Sequence, residues 1–579
     1  MGNFFTDNQD ILFYFKNGNL EEIAKLQEYD FSDKKSFDFA PSDSQDAVDS
    51  YYRVLDELGD ISANFIFPRS ELIDRQGSTY ENGEVHYAPA IADCIERLAK
   101  ADVMGFTLPR RFGGLNFPNL VYTMAIEIVS RADASLMNIF GLQGIAETIN
   151  AFASEEVKRQ YLPRFSSGEV TGSMALTEPD AGSDLQNVGL RASQKEDGTW
   201  VLNGVKRFIT NGCGKISLVL AKSEEHEKGG LGLSLFLYER DNTMKIRRIE
   251  DKLGIHGSPT CELQFNDSPA LLIGERRRGL VTYVMSLMNG ARLGIAAQSL
   301  GIAQQCFVEA RKYAASRKQF GVSIDRLPAV ADLLAEMQLQ IETARALTYD
   351  AAVVVDKILG TLRKAEDKSI PEEERKALKR DAKKLERLAD FLTPCSKYFS
   401  SEMCVKAAYD AIQVLGGSGF MRDYPVERLY RDARITTIYE GTSQLQVVAA
   451  KGSILSGIAE KNFAEMDNKD YGNTDPELKN KLIDARKLLA ESVEFLKSKN
   501  HVDVINLYAR KLVDMAIDIH VGYIFLQQAQ TNDRKKIIAN RHITTAFPKI
   551  KMNRDLIVNC ETSTVDSFEE LVGALPSEL

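Results

Sequence analysis

Apolar positions divide the 579-residue chain into stretches of different period. Over residues 46–165 the period is helical: Ala47, Tyr51, Val54, Leu55 and Leu58 recur at three- and four-residue spacing and form one apolar face. Residues 166–278 switch to short apolar runs. Thr199-Trp200-Val201-Leu202, Asn203-Gly204 and Val205-Lys206-Arg207-Phe208-Ile209 predict a strand, a two-residue turn and a strand, because Asn-Gly is the favoured type I′ hairpin pair. Further strands are predicted at 216–221, 233–238 and 262–265. Residues 279–460 return to helices, and Leu293, Ala296, Leu300, Ala303, Phe307 and Ala310 mark a long helix with a buried seam. The expected fold is mostly α, with a central antiparallel β-domain between two helical domains.

The remaining stretches flank or interrupt this plan. Residues 1–45 form an extension whose aromatic patch, Ile11-Leu12-Phe13-Tyr14-Phe15, follows a cap at Thr6 or Asp7 and is expected to pack on the body. Pro109 and Gly113-Gly114 demand a loop around Arg110 and Arg111. An insertion at about 361–388 reads as an elongated helical hairpin, with a capping box at Ser369–Glu372 and an apolar stripe of Leu378, Leu385, Leu388 and Leu392. A turn-rich linker at 461–476 ends on Asp475-Pro476, a good helix start. Residues 477–579 are expected to be a C-terminal helical domain. Lys535, Lys536 and Arg541 beside Ile537, Ile538 and Ile543 read as a bundle face rather than a contact for an anionic surface.

Composition narrows the function. A net charge of −10 argues against general nucleic-acid binding. The seven cysteines are dispersed singly and odd in number, which points to reduced thiols in a cytoplasmic compartment and to no iron–sulfur relay. The six histidines show no metal-ligand spacing, so no metal is expected. Neither a secretory signal nor an uncharged apolar run of transmembrane length is visible.

The candidate chemistry centres on Tyr439-Glu440-Gly441-Thr442. A carboxylate beside an apolar run is a candidate general base, since desolvation lifts its pKa toward the working pH. Alone, the tetrapeptide reads more readily as a turn with a surface Glu, since perturbed carboxylates are often merely structural. Upstream lie Gln413-Val414-Leu415-Gly416-Gly417-Ser418-Gly419-Phe420 and, earlier, two more motifs: Met174-Ala175-Leu176-Thr177-Glu178-Pro179-Asp180-Ala181-Gly182-Ser183 and Phe208-Ile209-Thr210-Asn211-Gly212. The first of these offers backbone N–H groups and a hydroxyl with little cover, the second an aromatic face followed by a hydroxyl.

In this order and at this spacing the motifs resemble those of the acyl-CoA dehydrogenase family, over residues 85–455. The length resembles its larger branch, which includes very-long-chain enzymes and bacterial methylthiopropionyl-CoA dehydrogenases. The resemblance implies FAD, held by Met174, Leu176, Thr177, Gly182, Ser183, Phe208, Ile209, Thr210 and Thr442. It implies that Gln413, Gly416 and Gly417 also bind FAD, and that the motif of Arg317, Gln319 and Phe320 reaches across a subunit contact, its Arg317 holding the FAD of the neighbour, hence a homodimer. Acyl-CoA would meet Ser183, Asn289, Arg292 and Gly441, with Glu440 as base, and Arg110 and Arg111 either solvated or receiving CoA phosphates. Ala291 stands where some branches carry the base instead, and alanine cannot do that work. Electron-transfer flavoprotein is the implied acceptor in fatty acid β-oxidation. An oxidase of the same fold remains open. A decarboxylating glutaryl-CoA-type enzyme is disfavoured, because the stretch Asp133-Ala134-Ser135-Leu136-Met137 lacks the Arg of that branch. A scaffold without activity is the reading from another class, against which the retained Glu440 and cofactor motifs stand.

Overall fold

The computed structural model describes residues 2–472 and 474–575; Met1 and the end of the expected C-terminal domain, 576–579, lie outside the described residues. The extension folds into α1 (Gln9–Asn17) and α2 (Leu20–Glu28). Asn8, not Thr6 or Asp7, caps α1, its side chain accepting from the N–H groups of Asp10 and Ile11 at 3.1 Å each. Ile11 and Phe15 are buried against the body, as the apolar patch requires.

Next come α3 (Ser44–Ile61), α4 (Asn119–Ala132), α5 (Ala134–Leu142) and α6 (Ile145–Phe152). The predicted face of α3 is buried at Ala47, Tyr51, Leu55 and Leu58. Arg110 is neither solvated nor free for a phosphate: it is buried and forks onto Glu28 of α2 at 2.5 and 2.8 Å. A buried guanidinium needs such a partner, and the extension supplies it. Arg111 stays exposed, on Glu155.

The β-domain holds β1 (Gly172–Ala175), β2 (Arg191–Gln194), β3 (Trp200–Thr210), β4 (Ile216–Lys222), β5 (Leu233–Glu239), β6 (Met244–Ile249) and β7 (Thr260–Ile273). They pair in the order β1-β4-β2-β3-β7-β5, with β6 on β7, and β5 returns to β4 so that the sheet closes into a barrel. The structure corrects two expectations. The sheet is not wholly antiparallel, since β1 and β2 run parallel to β4. Nor is Asn203-Gly204 a hairpin: β3 runs straight through it, opposite the equally continuous β7. The register shifts between Leu202 and Gly204, where β7 carries the extra residue; Gly204 stands there at φ 139°, and Asn203 bonds Asp267 across the ladder.

A bundle of three long helices follows: α7 (Met285–Ser316), α8 (Pro328–Glu366) and α9 (Glu372–Leu415). The segment Gly279–Ser316 is long and apolar enough to cross a membrane by length and composition. Its seam residues Leu293, Ala296, Leu300, Ala303 and Ala310 are instead buried in the protein core. The insertion is the tip of the α8–α9 hairpin, as expected. The capping box at Ser369 does not form, because Pro371 occupies the cap position and no side chain caps α9 there.

The chain ends in α10 (Ser443–Leu455), α11 (Pro476–Lys499), α12 (Val502–Gln528) and α13 (Asp533–Asn559). Asp475 caps α11 as predicted. Lys535 and Ile543 are buried in the bundle, whereas Ile537 is exposed and Lys536 forms only a surface pair with Asp533, so the bundle takes one side of this stretch. One apolar core runs without a break from Ile11 through Ile128 and Leu300 to Leu512.

Candidate active site

A cavity of about 790 Å³ opens between α4, α5, α6, the first turns of α7 and the segment leading into α10. Glu440 lines it together with Met174 and Thr210 from the β-domain and Ala291 from α7. Glu440 has φ 53° and Gly441 φ 87°, so two successive residues stand in the left-handed region, at a cost of order 1–3 kcal/mol for the non-glycine. A Cβ on Gly441 would sit 2.5 Å from Gln446 Nε2, so glycine is required there twice over.

Three contacts hold this turn. Gln446 Nε2 donates to the carbonyls of Glu440 at 3.2 Å and Gly441 at 3.1 Å. Thr442 caps α10 through Leu445 N–H at 3.4 Å. Lys397, fully buried on α9, donates from Nζ to the Gly441 carbonyl at 2.7 Å. Burial pushes the Glu440 carboxyl up to about 7, and the Lys397 ammonium pulls back only part of that. Burial likewise brings Lys397 down to about 8, opposed by Glu440. Among the described residues nothing donates a hydrogen bond to the Glu440 carboxylate. Glu147, another carboxylate of the cavity wall, is already taken by Thr107 Oγ1 at 2.6 Å.

The other predicted site residues fall into two groups. Met174, Thr177, Gly182, Ser183, Phe208 and Thr210 lie at the barrel end that faces the cavity or on its rim, around β1 and the end of β3. Phe208 is 50% exposed with φ 60°, an aromatic ring held out of the strand. A Cβ on Gly182 would meet nothing closer than 3.8 Å, so a ligand can approach the backbone. Leu176 and Ile209 differ from expectation: both side chains are buried in the barrel's packing, so only their backbone can touch a ligand. The Leu176 carbonyl already accepts from Lys206 Nζ at 2.8 Å. That buried lysine also holds Glu178, which accepts from the N–H groups of Gly189 and Leu190 and so fixes the loop around Gly182.

Arg317, Gln319, Phe320, Gln413, Gly416 and Gly417 form the second group, none of them in the cavity wall. The end of α7 and the turn after α9 lie side by side, with Tyr313 Oη 3.3 Å from Ser418 Oγ. Phe320 is 89% exposed on a small hairpin, and Cβ atoms on Gly416 or Gly417 would meet nothing within 4 Å. This open cradle beside an arginine suits a phosphate-bearing cofactor. The exposed ring of Phe208 with Thr210 in the first group, and the open glycines beside Arg317 in the second, have the chemistry to hold FAD. Asn289 and Arg292 do not line the cavity; Arg292 donates to Asn289 Oδ1 at 3.0 Å, and its buried Nε has no hydrogen-bond partner among the described residues.

Sequence reasoning passed over Lys397, Asn138, Gln298 and Tyr439. The signal for Lys397 was present: it is the single charge in the run Phe391 to Ser401. An isolated lysine on the buried face of a helix needs an acceptor, here the Gly441 carbonyl.

Four acyl-CoA dehydrogenase family models match in order: the N-terminal domain at residues 61–169, the middle domain at 173–268, the C-terminal domain at 293–444 and a further C-terminal model at 456–564. An acyl-CoA dehydrogenase of Bacillus subtilis is 35% identical over 369 residues, 63% of this chain and 89% of the relative. The 3-methylmercaptopropionyl-CoA dehydrogenase of Ruegeria pomeroyi is 32% identical over 456 residues, 73% of this chain and 74% of the relative. Among solved structures, an acyl-CoA dehydrogenase complexed with FAD from Bacillus anthracis superposes with a TM-score of 0.75 at 23% identity, over 91% of this chain and 92% of that one, a likeness of fold. The chain belongs to the acyl-CoA dehydrogenase family of FAD-dependent oxidoreductases.

Proposed function

We propose that the protein converts an acyl-CoA thioester to the trans-2-enoyl-CoA, with Glu440 as the base that takes the α-proton. The observation that carries this reading is the Glu440 carboxyl itself: desolvated in the cavity, free of any donor and poised at about 7. FAD, when bound, accepts the β-hydride, so that one proton and one hydride leave as the double bond forms. Lys397 and Gln446 hold the strained turn, so the carboxylate needs no reorganisation to meet the α-carbon. The Glu440 backbone N–H stands next to the thioester oxygen in this reading, and Ser183, Asn289, Arg292 and Gly441 border the coenzyme arm. Thr177, Thr210 and Thr442 border the flavin.

Arg317, Gln319, Phe320, Gln413, Gly416 and Gly417 serve the FAD of a second copy, which makes the working unit a homodimer. Their distance from the cavity of their own chain supports this. Electrons leave through electron-transfer flavoprotein rather than to oxygen, in a β-oxidation-type dehydrogenation. The reducing cytoplasm suits seven unpaired thiols.

Glu440→Gln tests the assignment. It keeps the shape and cannot take a proton, and general-base loss costs on the order of 10²–10⁴ in rate. Anaerobic flavin bleaching by acyl-CoA should slow by that factor while FAD content and acyl-CoA binding persist. Bleaching within about threefold of wild type would place the base elsewhere.

A further inference from the structure

The turn that carries Glu440 is gripped a second time, from the C-terminal domain. Ser443 is the first residue of α10 and is buried. Its Oγ donates to Glu402 Oε1 of α9 at 2.6 Å. A carboxylate is favoured at the first turn of a helix, where the helix dipole is positive. Glu402 is held in turn from α12, with Arg510 Nη2 at 2.9 Å from its Oε2. Arg510 Nε donates to Tyr398 Oη at 2.7 Å, and Tyr398 Oη donates to Asp514 Oδ1 at 2.8 Å. Tyr398 and Glu402 stand one turn apart on α9, and Arg510 and Asp514 one turn apart on α12, so the two helices meet in a ladder that ends on Ser443. Lys397, next to Tyr398, holds the Gly441 carbonyl, so α9 grips the chain on both sides of Thr442. The left-handed pair Glu440-Gly441 needs such support, because strained backbone persists only where its surroundings over-determine it.

We propose that Arg510, in the C-terminal domain, is a positioning residue for the base: it orients Glu402, Glu402 orients Ser443, and Ser443 fixes the start of α10 and with it the direction of the Glu440 carboxylate. This rests on the dehydrogenase reading above. The Glu402 side chain is 38% exposed and that of Arg510 52%, so water competes for Glu402 once Arg510 is gone. A pair so exposed adds little to stability, so its removal leaves the fold standing. It shows instead in the rate, because a base held slightly off line meets the α-carbon less often. Arg510, Glu402 and Ser443 do not line the cavity, so acyl-CoA affinity is independent of them. The C-terminal helices thereby act on the chemistry, through one chain of side chains, from outside the segment 293–444 that contains the base.

The test is a double-mutant cycle on the full-length, FAD-loaded enzyme. The probe is the acyl-CoA that bleaches wild-type flavin fastest in an anaerobic panel of straight, branched and aryl chains. The limiting bleaching rate is read at saturation, and affinity from the concentration dependence. Arg510→Ala should lower the limiting rate by about three- to fivefold, the upper range for a partly exposed charge pair, with affinity unchanged. Arg510→Lys keeps a cation for Glu402 and should restore most of the rate. Ser443→Ala removes the last link, and in that background Arg510→Ala should have no further effect. FAD content and thermal melting report whether each variant is folded. A melting temperature lowered by Arg510→Ala with the bleaching rate unchanged overturns the inference, since Arg510 would then be a fastening alone. An equal loss of rate in both backgrounds overturns it too, as does a loss in Arg510→Lys as large as in Arg510→Ala. A panel in which no acyl-CoA bleaches wild type overturns the dehydrogenase reading and this inference with it.

Discussion

Two groups of charge are withdrawn from water in this protein, and they behave in opposite ways. At Glu440 a carboxylate sits in the cavity with one cation nearby and no donor, and burial drives its pKa up. Beneath the extension, Asp10 is more deeply withdrawn, at 5% exposed. Burial there also works to raise the pKa, but Lys535 and Arg345 outweigh it and the carboxyl is held down. The second group is fully paired. Arg345 bonds Asp10 at 2.6 Å and Glu127 at 2.6 Å, Lys535 bonds Asp10 at 2.6 Å and Glu342 at 2.9 Å, and Tyr349 donates to Glu127 at 2.7 Å. It ties the extension, α4, α8 and α13 into one body. An unpaired buried carboxylate is a proton acceptor held ready; a paired one is a fastening.

Breaking the fastening should produce the largest effect. Arg345→Ala leaves Asp10 and Glu127 buried without their cation, at a cost of about 3–5 kcal/mol. Urea or guanidinium unfolding should show that loss, while the rate of flavin bleaching per folded molecule stays near wild type. An unchanged denaturation midpoint would show that the cluster is not a fastening. Glu440→Gln is the mirror case, with a comparable loss in the barrier and little in stability.

The pH dependence separates the two groups next. Only ionised Glu440 accepts a proton, so anaerobic bleaching should rise with pH through a midpoint near 7, with a fall of about tenfold per unit below it. Stability runs the other way for this group. Its folded pKa is above its unfolded one, so its contribution is fully present below the unfolded value of 4.5 and is lost as pH rises through about 7. Asp10, with a lowered pKa, contributes above its unfolded value of 3.8 and loses that as pH falls through its folded one. Glu440→Gln should remove the first dependence and leave the second, as read from melting temperature against pH.

The smallest effect belongs to Lys397, a positioning residue that joins the two behaviours. Lys397→Met removes the cation that restrains Glu440 and the donor that holds the Gly441 carbonyl. The bleaching midpoint should move to higher pH by on the order of one unit or less. Lys397→Arg should restore part of it. A midpoint unmoved by Lys397→Met would reduce the lysine to packing.

Much of this was legible in the chain. The helical period at Leu293 to Ala310 and the Asp475-Pro476 start are local signals, and each was read where it stands. Glu440 was legible as a motif, because the glycine that a left-handed turn requires follows it directly. The Asn203-Gly204 pair misled for the opposite reason. Its turn preference is local, and the full-length pairing with β7 overrode it. Arg110 likewise looked like surface charge until Glu28 was placed against it.

The sequence by itself determined most of the order of helices and strands, the position of the candidate base and the family, because periodicity and short motifs act over a few residues. Only the tertiary structure decided which charges meet. Asp10 finds Lys535 across 525 positions and Arg345 across 335; Lys397 finds the Gly441 carbonyl across 44; Asn138 finds Gln298 across 160. No local pattern encodes such partners. Each is set by how the helices pack, and burial then fixes whether a carboxylate is left free to take a proton or is bound in place.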